Sequence, residues 1–244
     1  MAAITSLNAL VEALRDGVAV NKVLIGRSGR DHRVAAVIEL CRQRGVVFQF
    51  VPGEALQRKA GGRNQGVWAE VSPVAFRPLD EVLAAARTGL LLVLDGIEDT
   101  GNLGAIVRTA AAVEADGVLV SVRGSAPVTD VAWKTSAGAL GKVPLSQSRN
   151  LARDLEKLKD AGFWVVAADQ RAGSDFRGFD FRGRTAVILG NEGRGVSPLL
   201  KRNADQLLAI PHAPAVESLN VSAAAAIILF EAYRQKQFQV KSEK

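Results

Sequence analysis

Residues 187–231 read VILGNEGRGVSPLLKRNADQLLAIPHAPAVESLNVSAAAAIILFE, and the fold turns on how this stretch is parsed. The apolar run at 186–189 breaks into Gly190, Asn191, Glu192, Gly193, Arg194 and Gly195. That is the pattern of a buried strand delivering a loop to the edge of a parallel sheet. Three glycines allow close approach of backbone to a ligand. A second short strand, residues 207–210, meets Pro211, and after a loop Glu217 to Ser222 opens a helix of almost pure Ala, Ile and Leu. Ser218, Asn220 or Ser222 can cap it. A helix that apolar belongs in a domain core or a subunit interface, so the polar residues at its mouth stand over a solid edge and are candidates for a site. The residues taken alone fit a plain turn and plain helix caps equally well.

Working outward, the strand at 90–94 leads into DTGNLGAIVRTA, residues 99–110, and a helix over 103–115 and a strand over 117–122 complete a βαβ unit. Residues 125–130 read as a loop, 136–140 as the close of a short helix, and 143–145 as a strand. Asn150 caps a helix with Leu151, Leu155 and Leu158 on one face, Gly162 ends it, and 163–168 is the next strand. Residues 175–184, with Phe176, Phe179 and Phe181 among charges and glycines, read as a mobile loop whose aromatics go to base stacking or to partial core burial. The whole predicts an α/β domain with a parallel sheet covered on both faces.

Ahead of it lies a small alternating α/β unit: a helix at 7–15, a strand at 22–25, a helix from an Asp31 cap to Arg44, a strand at 46–51, a short helix at 54–59, a glycine-rich loop at 61–66 and a strand at 67–74. Pro73 and Pro78 bracket a connection, and with the helix at 80–87 they set the boundaries at 1–77, a linker and helix over 78–88, and a second domain over 89–240. Residues 1–77 carry 11 Lys and Arg against 6 Asp and Glu, while residues 78–244 carry 20 against 19, so the net charge of +6 is concentrated in the first third. Nine of those eleven cations are Arg, which suits forked phosphate contacts. An RNA-gripping module in front of a nearly neutral catalytic one is the reading, with a solvated basic surface as its plain alternative.

The 244 residues are 48% hydrophobic, enough for a packed core. One cysteine excludes an internal disulfide, and with two histidines makes a structural zinc site implausible. Cys41 shares a helix face with Val34, Val37 and Ile38 and reads as core. No run is long enough to span a bilayer and no signal-peptide pattern opens the chain, so the expected location is cytoplasmic. Neither G-x-G-x-x-G nor a Walker A sequence occurs, which disfavours enzymes built on those nucleotide loops.

GNEGRG, IPHAPAVESLN and DTGNLGAIVRTA together resemble, in the right order, the three signature motifs of the SpoU or TrmH-like RNA ribose 2'-O-methyltransferases of the SPOUT superfamily. The first 77 residues resemble the ribosomal-protein-like RNA-binding domain of that family, with Asn64-Gln65-Gly66 where relatives have His-Gln-Gly. The segments KTSAGALGKVPL and NLARDLEKLKDAGFWVV are most like the branch that methylates a guanosine ribose in 23S rRNA. The resemblance implies a deep trefoil knot, which sequence physics would have argued against. It implies S-adenosylmethionine as cofactor, contacted at Gly190, Ile210 and Leu219, a homodimer, and no metal. It also places Arg108 at the reacting hydroxyl and neighbouring phosphate, surrounded by Asn102, Glu192, Ser218 and Asn220, with Glu192 orienting Arg108. Three positions depart from the family pattern: Thr100 for proline in the first motif, and His212 and Pro214 for Met and Gly in the third. A tRNA or resistance-type rRNA methylase of the same family, and a non-catalytic RNA-binding or ribosome-assembly factor, are the alternatives.

Overall fold

The computed structural model describes residues 3–26, 32–62, 64–72 and 74–242. The expected cap at Asp31, and Arg63 and Pro73, lie outside the described residues. The chain divides into two units: Met1–Ala75 with Pro127–Asp130, and Phe76–Ala126 with Val131–Lys244.

The first unit runs β1 (Ala3–Ile4), α1 (Leu7–Arg15), β2 (Val20–Gly26), α2 (His32–Gln43), β3 (Val47–Val51), α3 (Gly53–Ala60) and β4 (Val67–Val71). Its sheet has the order β1-β4-β2-β3, with only β2 and β3 parallel. Strand alternation divides the core. Val23 and Ile25 face Leu7, Leu10, Leu14, Val37 and Cys41, while Leu24 on the opposite face meets Leu56 and Trp68. Cys41 is fully buried, as its helical spacing predicts.

The second unit continues with α4 (Leu79–Ala85), β5 (Leu90–Asp95), α5 (Thr100–Ala112), β6 (Gly117–Ser121), α6 (Asp130–Thr135), β7 (Leu145–Ser148), α7 (Leu151–Asp160), β8 (Trp164–Ala168), β9 (Thr185–Gly190), α8 (Pro198–Asn203), β10 (Gln206–Leu208) and α9 (Val221–Ser242). All six strands are parallel, in the order β10-β8-β9-β5-β6-β7. The unbroken apolar run of β5 suits a central strand buried on both faces. Leu91 and Val93 meet Leu79, Val82, Leu155, Leu158 and Leu200, from α4, α7 and α8. On the other face α5 packs against α9, whose Ala225, Ile228, Leu229 and Ala232 are fully buried. The order reverses beside β5, the kind of switch point at which open α/β sheets place ligands. Insertion of β9 between β8 and β5 accords with the knotted threading that the resemblance implies.

Three local expectations need correction. Helix α5 begins at Thr100, not Leu103, because the Asp99 carboxylate accepts the Asn102 amide at 2.6 Å and nucleates an earlier turn. Thr100 takes the first helical position, where a proline is tolerated equally well. The strand expected at 143–145 instead starts at Leu145, since Pro144 supplies no ladder donor. The segment 175–184 is pinned rather than loose: Phe176 and Phe181 are buried, and Gln235 of α9 accepts the Phe181 amide at 2.8 Å while donating to the Phe179 carbonyl at 3.0 Å. Burial takes those two aromatics away from base stacking. Among the described residues no helix is long and apolar enough to cross a membrane.

Candidate active site and cofactor cavity

The loop after β9 is held by its own side chain. Asn191 Oδ1 accepts the amides of Gly193 and Arg194 at 2.9 and 3.1 Å, and its Nδ2 donates to the Gly96 carbonyl at 2.8 Å. Arg194 pairs with Glu98 at 2.9 Å, and the Ser197 amide donates to Asp95 Oδ2 at 2.8 Å. The loops after β5 and β9 are thus cross-tied at three points. A Cβ on Gly190 would collide with the Gly195 carbonyl carbon and the Val196 nitrogen. Glycine is required here because the loop folds back on itself, not only because a ligand must come near.

Asn102 occupies the first turn of α5. Its Nδ2 donates to Glu192 Oε1 at 3.0 Å, and its Oδ1 accepts from Asn220 Nδ2 at 3.1 Å. Asn220 Oδ1 in turn accepts the Ser222 amide and hydroxyl at 2.8 and 2.6 Å, making Asn220 the residue that caps α9. One hydrogen-bonded chain therefore joins the three sequence motifs. Ser218 is exposed and lines the neighbouring cavity with Glu192.

Arg108 stands apart. It is exposed and makes no hydrogen bond or ion pair with the described residues. Six positions beyond Asn102, it is turned about 240° around the helix. Glu192 consequently orients Asn102 and not Arg108.

Beside this chain opens a cavity of about 490 Å³, within the roughly 300–1,000 Å³ of ligand pockets. Gly190, Ile210 and Leu219 all line it. Leu189, Leu208 and Val221 add apolar wall, and Glu217 and His212 add polar groups. His212 Nδ1 lies 2.8 Å from the Ile210 carbonyl. The loop from Pro211 carries no regular structure, with a single turn closed by the Val216 amide on the Ala213 carbonyl at 3.2 Å; Pro214 sits inside that turn. Composition alone did not single out Asp169 and Lys201, which face the cavity as an ion pair at 2.7 Å. Burial alone would raise the Asp169 carboxyl, but bonds from Lys201 and the Arg171 amide outweigh it and hold the group below its ordinary value. The signal that could have found Asp169 is its place just past the C-terminal end of a parallel strand.

Residues 89–230 match the SpoU rRNA methylase family, and residues 7–77 match the domain described as RNA 2'-O ribose methyltransferase substrate binding. The chain belongs to the SpoU methylase family. A putative TrmH family tRNA/rRNA methyltransferase of Bacillus subtilis is 36% identical over 94% of both chains. An uncharacterized tRNA/rRNA methyltransferase of Mycolicibacterium smegmatis is 39% identical over 94% of this chain and 75% of its own. Among solved structures, the SpoU methyltransferase AviRb from Streptomyces viridochromogenes, in complex with AdoMet, aligns with a TM-score of 0.62 at 26% identity, over 96% of this chain and 90% of that one. This SpoU methylase is an RNA methyltransferase that depends on S-adenosylmethionine. The mixed lining suits that cofactor: apolar wall for an adenine ring, and polar groups for a ribose and a zwitterionic tail.

Proposed function

We propose that this SpoU methylase transfers a methyl group to a ribose 2'-hydroxyl in RNA, and that its substrate is a guanosine of 23S rRNA. The observation that carries this reading is the hydrogen-bonded chain Glu192, Asn102, Asn220 at the mouth of the cavity. A pure RNA-binding protein has no need to fix three polar side chains from distant motifs beside a cofactor-sized space.

S-adenosylmethionine supplies the methyl group on a sulfonium. The protein aligns the ribose oxygen with it and favours that oxygen as its proton leaves; positioning of this kind supplies a large part of the barrier reduction. Asn102 is locked at both ends of its amide, so it offers a fixed dipole and loses little freedom when RNA arrives. Arg108, exposed on the side of α5 turned away from Asn102, is assigned to the phosphate next to the target. A guanidinium stays protonated, so its role is electrostatic and not that of a base. Ser218 lies within the same mouth and contributes a hydroxyl to the ribose. Gly190, Ile210 and Leu219 hold the cofactor, chiefly through main chain.

Residues 1–77 act as the substrate-gripping domain, residues 78–88 as the connection and residues 89–240 as the methyltransferase domain. Arg58 and Lys59 are exposed in the last turn of α3, with Lys59 lying 5.0 Å from the Trp68 ring centroid. Asn64 donates to Gln57 Oε1 at 2.6 Å and accepts the Gly66 amide at 3.1 Å. Where relatives have His, this residue holds the loop in shape. We place the enzyme in the cytoplasm as a homodimer; the exposed Ile227 and Phe230 on α9 support an apolar interface.

The test is incubation with labelled S-adenosylmethionine and, separately, unmodified ribosomal RNA and bulk tRNA, followed by nuclease mapping. Label on one 2'-O-methylguanosine of large-subunit RNA is the expected result. Label confined to tRNA discards the substrate but keeps the chemistry. No label in either, with no cofactor binding, overturns the reading.

A further inference from the structure

The reaction as derived uses residues above β5 and β9, yet the cavity extends past them to the end of β8, where the Asp169 and Lys201 pair forms its wall. These side chains are only 12% and 29% exposed. Asp169 is fixed from every side: Oδ2 on Lys201 at 2.7 Å, Oδ1 on the Arg171 amide at 3.0 Å, and its own amide on the Leu208 carbonyl at 2.9 Å. A largely withdrawn ion pair is a costly way to fill a wall, because desolvating two charges commonly offsets their attraction and an apolar pair would pack as well. A pair facing a ligand cavity has a different use.

The pair's own charges balance, with Arg171 also at the cavity wall, so no net negative charge invites a cation, and the joined carboxylate and ammonium favour a neutral partner. A ligand carboxylate would compete with Asp169 for Lys201 and be repelled by it, and a ligand ammonium would meet the converse. A vicinal diol fits: each hydroxyl both donates and accepts, matching a carboxylate acceptor set beside an ammonium donor, and hydrogen bonds to charged groups are the stronger kind. We propose that Asp169 and Lys201 together bind the ribose 2',3'-diol of S-adenosylmethionine and so fix the adenosine end of the cofactor over β8. This rests on the cavity being the cofactor site.

Calorimetric binding of three ligands distinguishes the outcomes: S-adenosylhomocysteine, its 2',3'-dideoxy analogue, and 5'-methylthioadenosine, which keeps the diol but lacks the amino-acid tail. Wild-type protein is expected to bind the dideoxy analogue about tenfold or more weaker than its parent. Asp169→Asn and Lys201→Met are expected to weaken S-adenosylhomocysteine and 5'-methylthioadenosine alike by about tenfold, and to leave the dideoxy analogue unchanged. Equal wild-type affinity for parent and dideoxy analogue overturns the proposal, and that comparison needs no variant to fold. Variants that weaken S-adenosylhomocysteine but not 5'-methylthioadenosine also overturn it, since the pair would then hold the amino-acid end. Wild-type protein that binds none of the three defeats the underlying cofactor reading instead.

Discussion

Asn102 spends its whole side-chain amide on Glu192 and Asn220, which lie 90 and 118 positions further along the chain. Asn102→Asp keeps the shape but turns the donor into a second carboxylate facing Glu192. We expect turnover to fall about 100-fold with cofactor Kd within about twofold, measured by initial rates and calorimetry; a parallel loss of cofactor binding would place Asn102 in the cofactor site instead. Asp169 carries a second prediction at this scale. Its folded-state pKa lies below the unfolded value, so its contribution to stability is present above the unfolded carboxyl range and is lost as pH falls through the folded value. Thermal melts from about pH 5 downward should therefore show a shallower acid loss in Asp169→Asn than in wild type. Identical acid limbs would contradict the pairing with Lys201. Asn102, Glu192 and Asn220 were legible in the sequence because their motifs carried them. Asp169 and Lys201 were not, because an Asp after a strand and a Lys in a short helix are common, and only the tertiary fold brings them to one wall.

The loops after β5 and β9 owe their shape to glycines whose reasons differ. Gly190→Ala drives a methyl into the returning backbone of Gly195 and Val196, which cannot yield as a side chain would. Gly104→Ala sets a Cβ 2.7 Å from the Ala132 carbonyl oxygen, wedging α5 from α6. Each should cost about 1–3 kcal/mol of stability, and Gly190→Ala should also abolish measurable cofactor binding, whereas Gly104→Ala should weaken it far less. Denaturant melts with calorimetry check both; a Gly190→Ala protein of wild-type stability and affinity would sink the account of that loop. Most elements followed from periodicity, as with Leu151, Leu155 and Leu158 on α7. The misses were at edges where side-chain bonds decide. Asp99 extended α5 backward, and β7 reads LSQS because its buried Ser148 is satisfied by Asp154 at 2.5 Å, a partner that no local pattern announces.

The excess of positive charge lies in the first third of the chain. With the excess of cations in the first 77 residues, Arg58→Glu with Lys59→Glu should lower RNA affinity about tenfold and flatten its salt dependence, while cofactor affinity stays unchanged. Unaltered RNA binding by filter assay would move the contact to another face. The α/β class and the parallel sheet were readable from alternating apolar runs; the strand order was not, because nothing in an apolar run says that β9 lies between β8 and β5. Function was legible through three motifs whose residues meet only in three dimensions. Separating chemistry from cofactor binding decides the assignment of Arg108. Single-turnover methylation of unmodified large-subunit rRNA by wild type and Arg108→Ala, with S-adenosylmethionine affinity measured on the same preparations, does so. Arg108→Ala is predicted to lose at least about 100-fold in rate with its cofactor Kd nearly intact. Wild-type turnover by Arg108→Ala would contradict it.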